Sequence, residues 1–345
     1  MILVTGGSGL TGSHLLLELS RKKEPFRALK RNSSDISWVR RIFDYYEPEK
    51  GRELFFRIEW VDGDITDPDS LTAAFRNVTT VYHTAGYVSF DPGEHKKIRK
   101  INVEGTRHMV ELSLKYGVEH FCHVSSVAAI GKHHQGDELW VAETDYRKMR
   151  KERSCYAFSK LLGELEVWRA MEEGLRAVIV NPVIILGPGN WNRGSARLFK
   201  TMQNGLPFYP PGSNGFVDVR DVVRIMLLLT ERSISGERFV INAENLSYRQ
   251  VLSWIAHGFG RKAPSIRTSK GLMTLAAMTD WMISRLSGKP HLLTRETART
   301  SASHIFYNNE KIRSTLGYEF IPVKEAVNNA VRFSLSLADY ADHAD

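Results

Sequence analysis

The chain has 345 residues, of which 42% are hydrophobic and 25% charged, a composition that excludes a disordered or fibrous protein. Lys and Arg outnumber Asp and Glu by 47 to 39, which gives a net charge of +8. The basic residues are scattered, with residues 147–153 as the densest run, and no groove-reading motif accompanies them. We therefore expect no nucleic-acid partner.

The cysteines and the apolar runs bear on where the protein works. Cys122 and Cys155 have the spacing of neither a metal ligand set nor a disulfide framework, and Cys155 has no evident activating partner, so packing is expected. This usage is typical of a reducing cytoplasm. The apolar start of the chain ends at Gly6, too early for a signal peptide. Residues 271–286 contain two charges, so we expect a substrate-domain helix, or surface attachment, and no transmembrane segment.

Strand-like apolar runs alternate with helical patterns in the first half of the chain. Gly117 and Gly174 each close a helical pattern before a strand and are suited to cap helix C-termini. The alternation predicts an α/β fold, a Rossmann doubly wound parallel sheet with helices on both faces. The predicted strands are 2–4, 26–29, 58–61, 80–83, 120–124 and 177–180, and the helical patterns include 15–19 and 103–114.

The pattern becomes less regular after Pro182, where loop signals occur at 187–189 and 206–212. We predict a smaller substrate-binding part built from two separated segments. The expected division assigns residues 1–182 and 216–242 to the Rossmann domain, and residues 183–215 and 243–345 to the substrate-binding domain.

A glycine-rich loop follows the first predicted strand and opens the first helix. Gly6 permits a tight turn, Gly9 lets the backbone approach a pyrophosphate, and Gly12 lets helix and strand pack closely. The unpaired N–H groups of the helix N-terminus favour an anion. Because strand, loop and helix occur in the required order, the motif predicts a dinucleotide site. The residues assigned to it are Gly6, Gly9, Leu10, Thr11 and Gly12.

The end of the second predicted strand indicates which dinucleotide binds. A NAD enzyme places Asp or Glu there for the ribose 2′-hydroxyl, but this chain has Lys30 and Arg31. Arg31 can bind a 2′-phosphate, with Lys30 and Ser33 adding charge and hydrogen bonds, so we predict NADP(H). The alternatives are that these side chains only face solvent, or that NAD(H) is used. Further cofactor contacts are predicted at Asp64, Ile65, Thr84, Ala85 and Gly86.

Tyr156 and Lys160 are four residues apart and share one helix face. A nearby ammonium and the positive nicotinamide favour the phenolate and lower the tyrosine pKa, so Tyr156 can exchange a proton with a carbonyl oxygen as hydride is transferred. Lys160 would also hold the nicotinamide ribose. Ser126 is expected to polarise the carbonyl and Ser125 to serve the cofactor, although a serine there can also be a simple cap. Asn102 is either a brace of the site or a buried structural amide.

Together these residues resemble the extended short-chain dehydrogenase/reductase family, also called the NAD-dependent epimerase/dehydratase superfamily. The resemblance implies that Pro182 and Val183 lie against the nicotinamide. It also implies a homodimer formed by a four-helix contact of residues 102–116 and 156–171. The matching segments cover most of the chain and are 5–12, 63–67, 83–86, 102–106, the set of Ser126, Tyr156 and Lys160, 181–183 and 216–222.

Within that family the chain is similar to the dihydroflavonol reductase and 3-beta-hydroxysteroid dehydrogenase branch, in residues 180–189 and 236–241. The 4,6-dehydratases follow the hydroxyl residue with an Asp-Glu pair that is absent after Ser126. Sugar-nucleotide enzymes often place an Arg where this chain has Asn214-Gly215, which disfavours an epimerase. Other basic residues could still bind phosphate, namely Arg193, Arg197 and Lys200.

The sequence leaves three functions open: an NADP(H)-dependent carbonyl reductase, a nucleotide-sugar epimerase, and an NADP-sensing protein without chemistry. Sensors of this fold usually lack the Tyr-Lys pair, which favours an enzyme acting on a small molecule. No metal is expected. The candidate pocket residues are apolar and aromatic, which suggests a hydrophobic or ring-bearing substrate. They are Tyr87, Val88, Phe90, Ile130, Ile184, Phe199 and Tyr209.

Overall fold

The computed structural model describes residues 1–136, 138–145, 154–191, 194–269 and 295–342. Its strands are β1 (Ile2–Thr5), β2 (Phe26–Lys30), β3 (Glu59–Asp62), β4 (Thr80–His83), β5 (His120–Val124), β6 (His133–Gln135), β7 (Glu138–Val141), β8 (Ala177–Pro182), β9 (Ile184–Leu186), β10 (Phe208–Tyr209), β11 (Ser213–Asp218), β12 (Glu237–Ile241), β13 (Glu244–Ser247), β14 (Ile266–Arg267) and β15 (Ile305–Tyr307).

The helices are α1 (Leu10–Lys22), α2 (Ser37–Tyr46), α3 (Gly51–Phe56), α4 (His95–Arg99), α5 (Gly105–Lys115), α6 (Cys155–Glu172), α7 (Arg197–Gln203), α8 (Val219–Glu231), α9 (Tyr248–Gly258), α10 (Arg295–Ser301), α11 (Glu310–Leu316) and α12 (Val323–Asp342). Single 3-10 turns occur at Pro68–Leu71, Pro92–Glu94, Val127–Ala129 and Gly194–Ala196, and a π-helical turn spans Lys100–Glu104.

Seven strands form one parallel sheet in the order β12-β8-β5-β4-β1-β2-β3. This confirms the predicted doubly wound sheet. The predicted cap glycines are confirmed as well, because Gly117 and Gly174 have φ values of +67° and +103° after α5 and α6. The strand order reverses beside β1, since β2 lies on one side of it and β4 on the other. A doubly wound sheet binds its ligands at such a switch point.

Helices bury both faces of this sheet, which is why its inner strands, such as β1 and β8, are largely apolar. Successive side chains of a strand point to opposite faces, and β1 shows the result. Val4 packs with Leu15 of α1, whereas Leu3 packs in a different cluster with Met109 of α5. Both residues are 0% exposed. The central strand is therefore fixed in register from both sides.

A second apolar core lies outside the large sheet. Strands β13, β11 and β9 form a small sheet, and its neighbours α7, α9 and α12 bury Phe199, Ile255 and Val327 against Phe216. Further along the chain, residues of β15 and α11 and Tyr318 pack with the large sheet again, in the same cluster as Val4. These residues are Ile305, Tyr307, Ile312, Leu316 and Tyr318. The predicted division at residue 243 thus remains a prediction for most of the C-terminal segment, while the part around β15 and α11 packs with the large sheet.

Candidate active site

The predicted site residues follow strands of the parallel sheet. Gly6 follows β1, Thr84 follows β4, Ser125 follows β5 and Val183 follows β8. Because neighbouring strands are parallel, their carboxyl ends share one edge of the sheet. This edge at the reversal of strand order is where a doubly wound sheet holds its ligand, so the sequence motifs converge on the expected crevice.

The loop after β1 is shaped for close approach of an anion. Gly6 has a φ of +72°, and a Cβ there would lie 2.6 Å from the backbone that follows β4. A Cβ on Gly12 would lie 2.2 Å from the Gly6 carbonyl oxygen. Gly9 precedes α1 and supplies no side-chain cap. The first turn of α1, which includes Leu10 and Thr11, therefore has backbone N–H groups available for a phosphate.

The basic end of β2 consists of a paired lysine and an exposed arginine. Lys30 Nζ donates to Asp62 Oδ1 at 2.6 Å, so the neighbouring strand already neutralises part of its charge. The Arg31 side chain is exposed, and no ion pair forms on it within the described parts of the chain. Ser33 is also exposed. The positive charge available to a 2′-phosphate is therefore chiefly that of Arg31.

The turn after β3 is fixed by its own polar groups. Asp64 Oδ1 accepts the Thr66 N–H at 2.8 Å, and the Asp64 N–H donates to Ser70 Oγ at 3.0 Å. Ile65 is buried against α5, where a Cβ on Gly105 would lie 2.7 Å from Ile65 Cδ1. The Asp64 carboxylate is thus committed to the turn, although an exposed oxygen can accept more than one hydrogen bond.

The loop after β4 is tied to β1 and leaves room over the predicted catalytic lysine. Thr84 Oγ1 donates to the Thr5 carbonyl at 2.6 Å, and the Ala85 N–H donates to Thr5 Oγ1 at 3.4 Å. A Cβ on Gly86 would lie 3.3 Å from Lys160 Nζ. A side chain at this position would occupy the approach to the ammonium, so the glycine keeps that approach open.

Tyr156 lies in the first turn of α6. The helix begins at Ser154, whose Oγ accepts a backbone N–H of that turn at 3.1 Å. The Tyr156 ring packs edge-to-face on Phe90 with centroids 5.5 Å apart. Burial raises the pKa of Tyr156, and hydrogen bonding with Ser126 opposes this rise. That the ammonium and a positive nicotinamide together lower the tyrosine pKa stays a prediction, since desolvation of the phenolate dominates in the chain alone.

Lys160 lies one turn further along α6 and is 6% exposed. Its Nζ donates to the Val124 carbonyl at 3.0 Å, which holds the ammonium at the end of β5. Burial lowers the pKa of Lys160 to about 8, and the negative charge of Glu164 opposes this fall. Ser126 lies two residues after the end of β5, and its Oγ accepts the Ala128 N–H at 3.2 Å. Lysine and serine are therefore both anchored to the same strand end.

Asn102 braces the loop after β4 and the helix that carries Tyr156. Its Oδ1 accepts the Tyr87 N–H at 2.7 Å, and its Nδ2 donates to the Tyr87 carbonyl and to Ser159 Oγ, both at 2.9 Å. A Cβ on Gly163 would lie 2.6 Å from the Asn102 carbonyl oxygen, so α6 packs directly on the π-helical turn. Asn102 thus ties the loop after β4 to α6 through Tyr87 and Ser159.

The remaining predicted cofactor residues end β5 and β8, which are neighbours in the sheet. The Ser125 N–H donates to the Val180 carbonyl at 2.8 Å. Pro182 ends β8 and is buried, and Val183 is 7% exposed with its N–H donating to the Ile241 carbonyl at 3.2 Å. These contacts tie the ends of β5, β8 and β12 to one another, and the nicotinamide contact at Pro182 and Val183 stays a prediction.

Of the seven predicted pocket residues, five are at least partly exposed and two are buried. Tyr87, Val88 and Phe90 lie on the loop after β4, where Val88 is 53% exposed. Ile184 and Tyr209 are half-buried on β9 and β10. Two assignments are wrong, because Ile130 and Phe199 are 0% exposed. Ile130 packs in the core of the large sheet, and Phe199 stacks on Trp191 in the second core.

Three buried polar residues of the site were missed by sequence reasoning. Glu164 is 0% exposed, and its Oε1 accepts a hydrogen bond from Asn181 Nδ2 at 2.5 Å. Arg238 Nη1 donates to Glu164 Oε2 at 3.4 Å. Burial raises the pKa of Glu164, against the effects of Ser125, Asn181, Arg238 and Lys160. The available signal was spacing, since Tyr156, Lys160 and Glu164 succeed one another at intervals of four residues on α6.

Cys155 has a polar partner that was not expected. Its Sγ lies 3.0 Å from His95 Nε2 of α4, beside Tyr156. Burial raises the pKa of the Cys155 thiol, which opposes thiolate formation. Cys155 and Cys122 are both free thiols.

Neither a metal site nor a transmembrane segment was predicted from the sequence. Across the described ranges, no cluster of His, Cys, Asp and Glu could hold a metal ion. No helix in the same ranges is long and apolar enough to cross a membrane. The basic run at 147–153, Arg193 and the apolar run at 271–286 lie outside the described residues.

Comparison with known proteins agrees with the motifs. The chain is 29% identical over 282 residues to sterol demethylase protein B of Methylococcus capsulatus, covering 79% of this chain and 78% of the relative. It is 28% identical over 337 residues to a putative dihydroflavonol 4-reductase of Synechocystis, covering 96% and 93%. The crystal structure of gox2253 superposes with a TM-score of 0.79 at 28% identity, covering 98% of both chains.

The family model described as "NAD dependent epimerase/dehydratase family" matches residues 2–242, which is more than half of the chain. This confirms the resemblance expected from the glycine loop and the Ser, Tyr and Lys set. The matched range ends just after β12, so it spans the whole large sheet. The chain belongs to the NAD dependent epimerase/dehydratase family of extended short-chain dehydrogenases/reductases.

Proposed function

We propose that the chain is an NADP(H)-dependent oxidoreductase that reduces a ketone or aldehyde carbonyl of a hydrophobic or ring-bearing small molecule, or oxidises the corresponding alcohol. The observation that carries the proposal is the convergence of Ser126, Tyr156 and Lys160 at the end of β5. A hydroxyl, a phenol and an ammonium at one point supply what proton transfer to a carbonyl oxygen requires.

The residues at the sheet edge fit a dinucleotide. The loop at Gly6 and Gly12 has no room for a Cβ, the first turn of α1 follows this loop without a side-chain cap, and a Cβ on Gly86 would lie 3.3 Å from Lys160 Nζ. When bound, the cofactor supplies hydride to the carbonyl carbon. Arg31 supports NADP(H) over NAD(H), because an exposed guanidinium can chelate a 2′-phosphate that a carboxylate would repel.

The chain's own groups then divide the proton chemistry. Ser126 donates a hydrogen bond to the carbonyl oxygen and orients it. Tyr156 gives its phenolic proton to that oxygen, and the Lys160 ammonium stabilises the phenolate that forms. Because burial raises the pKa of Tyr156, the phenol is protonated at neutral pH, which is the state that reduction needs.

A nucleotide-sugar epimerase is disfavoured by the space around Gly215. A Cβ there would lie 2.6 Å from both Asn242 Oδ1 and Val183 Cγ1. Asn214 is 6% exposed and its Nδ2 donates to Tyr248 Oη at 3.0 Å. Neither position can present an arginine to a diphosphate without moving the core.

The substrate class is proposed from the same surroundings and from the relatives. Phe90 lies against the Tyr156 ring, and Val88 is exposed on the same loop. Two relatives have names that refer to ring-bearing molecules, a sterol in one and a dihydroflavonol in the other. An apolar ring packed on Phe90 would exclude water from the reacting carbonyl.

A homodimer is proposed through α5 and α6. The two helices pack together, and Arg169 of α6 lies 3.7 Å from Glu111 of α5. Leu165 is 44% exposed on α6, where an apolar side chain gains from a partner. Sedimentation equilibrium tests this proposal. At micromolar protein concentration, the measured molecular mass should be that of two chains.

The test of the function is NADPH oxidation over a panel of ketones and aldehydes, with Tyr156→Phe as the variant. We expect Tyr156→Phe to lower kcat at least a hundredfold and to leave NADPH binding intact, because it removes only the transferable proton. Tyr116→Phe is the matched control, since Tyr116 stacks on Phe75 at the end of α5. Undiminished turnover in Tyr156→Phe contradicts the mechanism.

Two further measurements separate the alternatives. Calorimetry with UDP- and GDP-sugars reports binding if the chain is an epimerase, in which case no NADPH is consumed. Tight NADPH binding without turnover of any carbonyl or nucleotide sugar identifies a sensor.

A further inference from the structure

A buried carboxylate lies behind the two anchored reacting groups. We infer that Glu164 is a positioning residue, which holds Ser126 through Asn181 and holds the Lys160 ammonium in its charged form. The expected effect on turnover rests on the proposed function, whereas the expected effect on the Lys160 pKa does not.

The link to Ser126 is made by one amide. Asn181 Nδ2 donates to Glu164 Oε1 at 2.5 Å and also to the Ser126 carbonyl at 3.0 Å. Asn181 lies in β8 and is 0% exposed. With both amide hydrogens directed to these acceptors, the carboxylate fixes the amide, and the amide fixes the peptide that bears the Ser126 hydroxyl.

The link to Lys160 runs along α6. Lys160 precedes Glu164 by four residues, so the two buried side chains share one face of the helix. A second cation, Arg238 of β12, has its Nη1 3.4 Å from Glu164 Oε2 and is itself fixed, because its Nε donates to the Glu143 carbonyl at 2.8 Å. Burial raises the pKa of Glu164 and both cations oppose that rise, and breaking a buried pair is costly.

The other titratable groups near Lys160 do not replace this charge. His83 of β4 and His123 of β5 are completely buried, and burial lowers the pKa of both, so they are neutral at physiological pH. Glu164 is the acid that opposes the fall of the Lys160 pKa. Without it the ammonium would lose its proton at a lower pH.

The direct test measures the pKa of Lys160 without any assay of activity. The rate of amine acetylation at Lys160 is followed against pH by peptide mass spectrometry, in the wild type and in Glu164→Gln. We expect the apparent pKa to fall by about one pH unit in Glu164→Gln, because a neighbouring negative charge is lost. Glu172→Gln, exposed at the end of the same helix, is the control and should leave it unchanged. An unchanged Lys160 pKa in folded Glu164→Gln overturns the inference.

A double variant separates positioning from stability. Glu164→Gln removes the carboxylate partner of the buried Arg238, which lowers the unfolding temperature. Because Arg238→Gln also changes the charge near Lys160, Glu164→Gln is compared with the wild type and again within the Arg238→Gln background. We expect Glu164→Gln to lower the Lys160 pKa, and to shift the alkaline limb of kcat to lower pH, in both backgrounds. An unchanged Lys160 pKa within the Arg238→Gln background shows a merely structural role. If the wild type turns over no carbonyl, the labelling result still stands and only the proposed function fails.

Discussion

Lys30 and Arg31 are adjacent in sequence but differ in what they can offer a ligand. Lys30 is held by Asp62, whereas Arg31 is exposed. We predict that Arg31→Ala weakens NADPH binding at least tenfold, because two charge-assisted hydrogen bonds to a phosphate are lost. NADH binding should stay the same, and Lys30→Ala should have the smaller effect. Fluorescence titration of both nucleotides measures this, and an unaltered NADPH to NADH ratio in Arg31→Ala would show that the phosphate site is misplaced.

Single residues were predictable where chemistry and position coincide in the sequence. Gly6 and Gly12 were assigned because the order of strand, loop and helix is local. Glu164 and Asn181 were missed, because their contact joins residues 17 positions apart on a helix and a strand. Phe199 was misassigned since an apolar residue near a loop has the same pattern whether it faces a pocket or a core.

At the scale of elements, the start of α6 sets the position of Tyr156. We predict that Ser154→Ala destabilises the protein by about 1 kcal/mol and also lowers kcat, because the lost cap loosens the turn that carries Tyr156. Ser247→Ala is matched to it, since Ser247 Oγ accepts the Gln250 N–H at 3.2 Å and caps α9. Chemical unfolding should show a similar loss in both variants. A loss of turnover in both, or in neither, would contradict a local effect at α6.

Six of the seven strands of the large sheet and the helical patterns beside them could be predicted, while the short strands around the sheet could not. The predicted strands carry apolar runs that the pattern detects, such as Leu3-Val4 in β1 and Val178-Ile179-Val180 in β8. Short strands such as β6 and β10 have two or three residues and no period to recognise. The π-helical turn at Asn102 depends on its packing against Gly163, a contact that only the tertiary structure supplies.

At the scale of the whole molecule, buried histidines couple stability to pH. Burial lowers the pKa of His14 from 6.5 to about 4. The unfolded chain therefore binds a proton between these pH values that the folded chain cannot, so stability is lost as pH falls from about 6.5 toward 4. Burial lowers the pKa of His83 and His123 in the same direction, while it raises the pKa of Asp221 to about 7, which acts oppositely.

We predict that His14→Gln reduces the loss of stability between pH 7 and pH 5 by about 2 kcal/mol, because one titrating group is removed. Gln can keep the hydrogen bond that His14 Nδ1 makes to the Leu10 carbonyl. Urea unfolding at the two pH values gives the difference directly. The same difference in wild type and variant would mean that His14 is protonated in the folded state.

The two ends of the chain meet in the finished molecule. Asn329 of α12 accepts a hydrogen bond from Tyr45 Oη at 3.0 Å and donates to Tyr46 Oη at 2.7 Å, while β15 pairs with β7. Helix α2 and strand β7 therefore have partners that follow the large sheet in sequence. A chain truncated after β12 would keep Ser126, Tyr156 and Lys160 but would lack these partners, so we expect it to unfold at a lower temperature than the 345-residue chain.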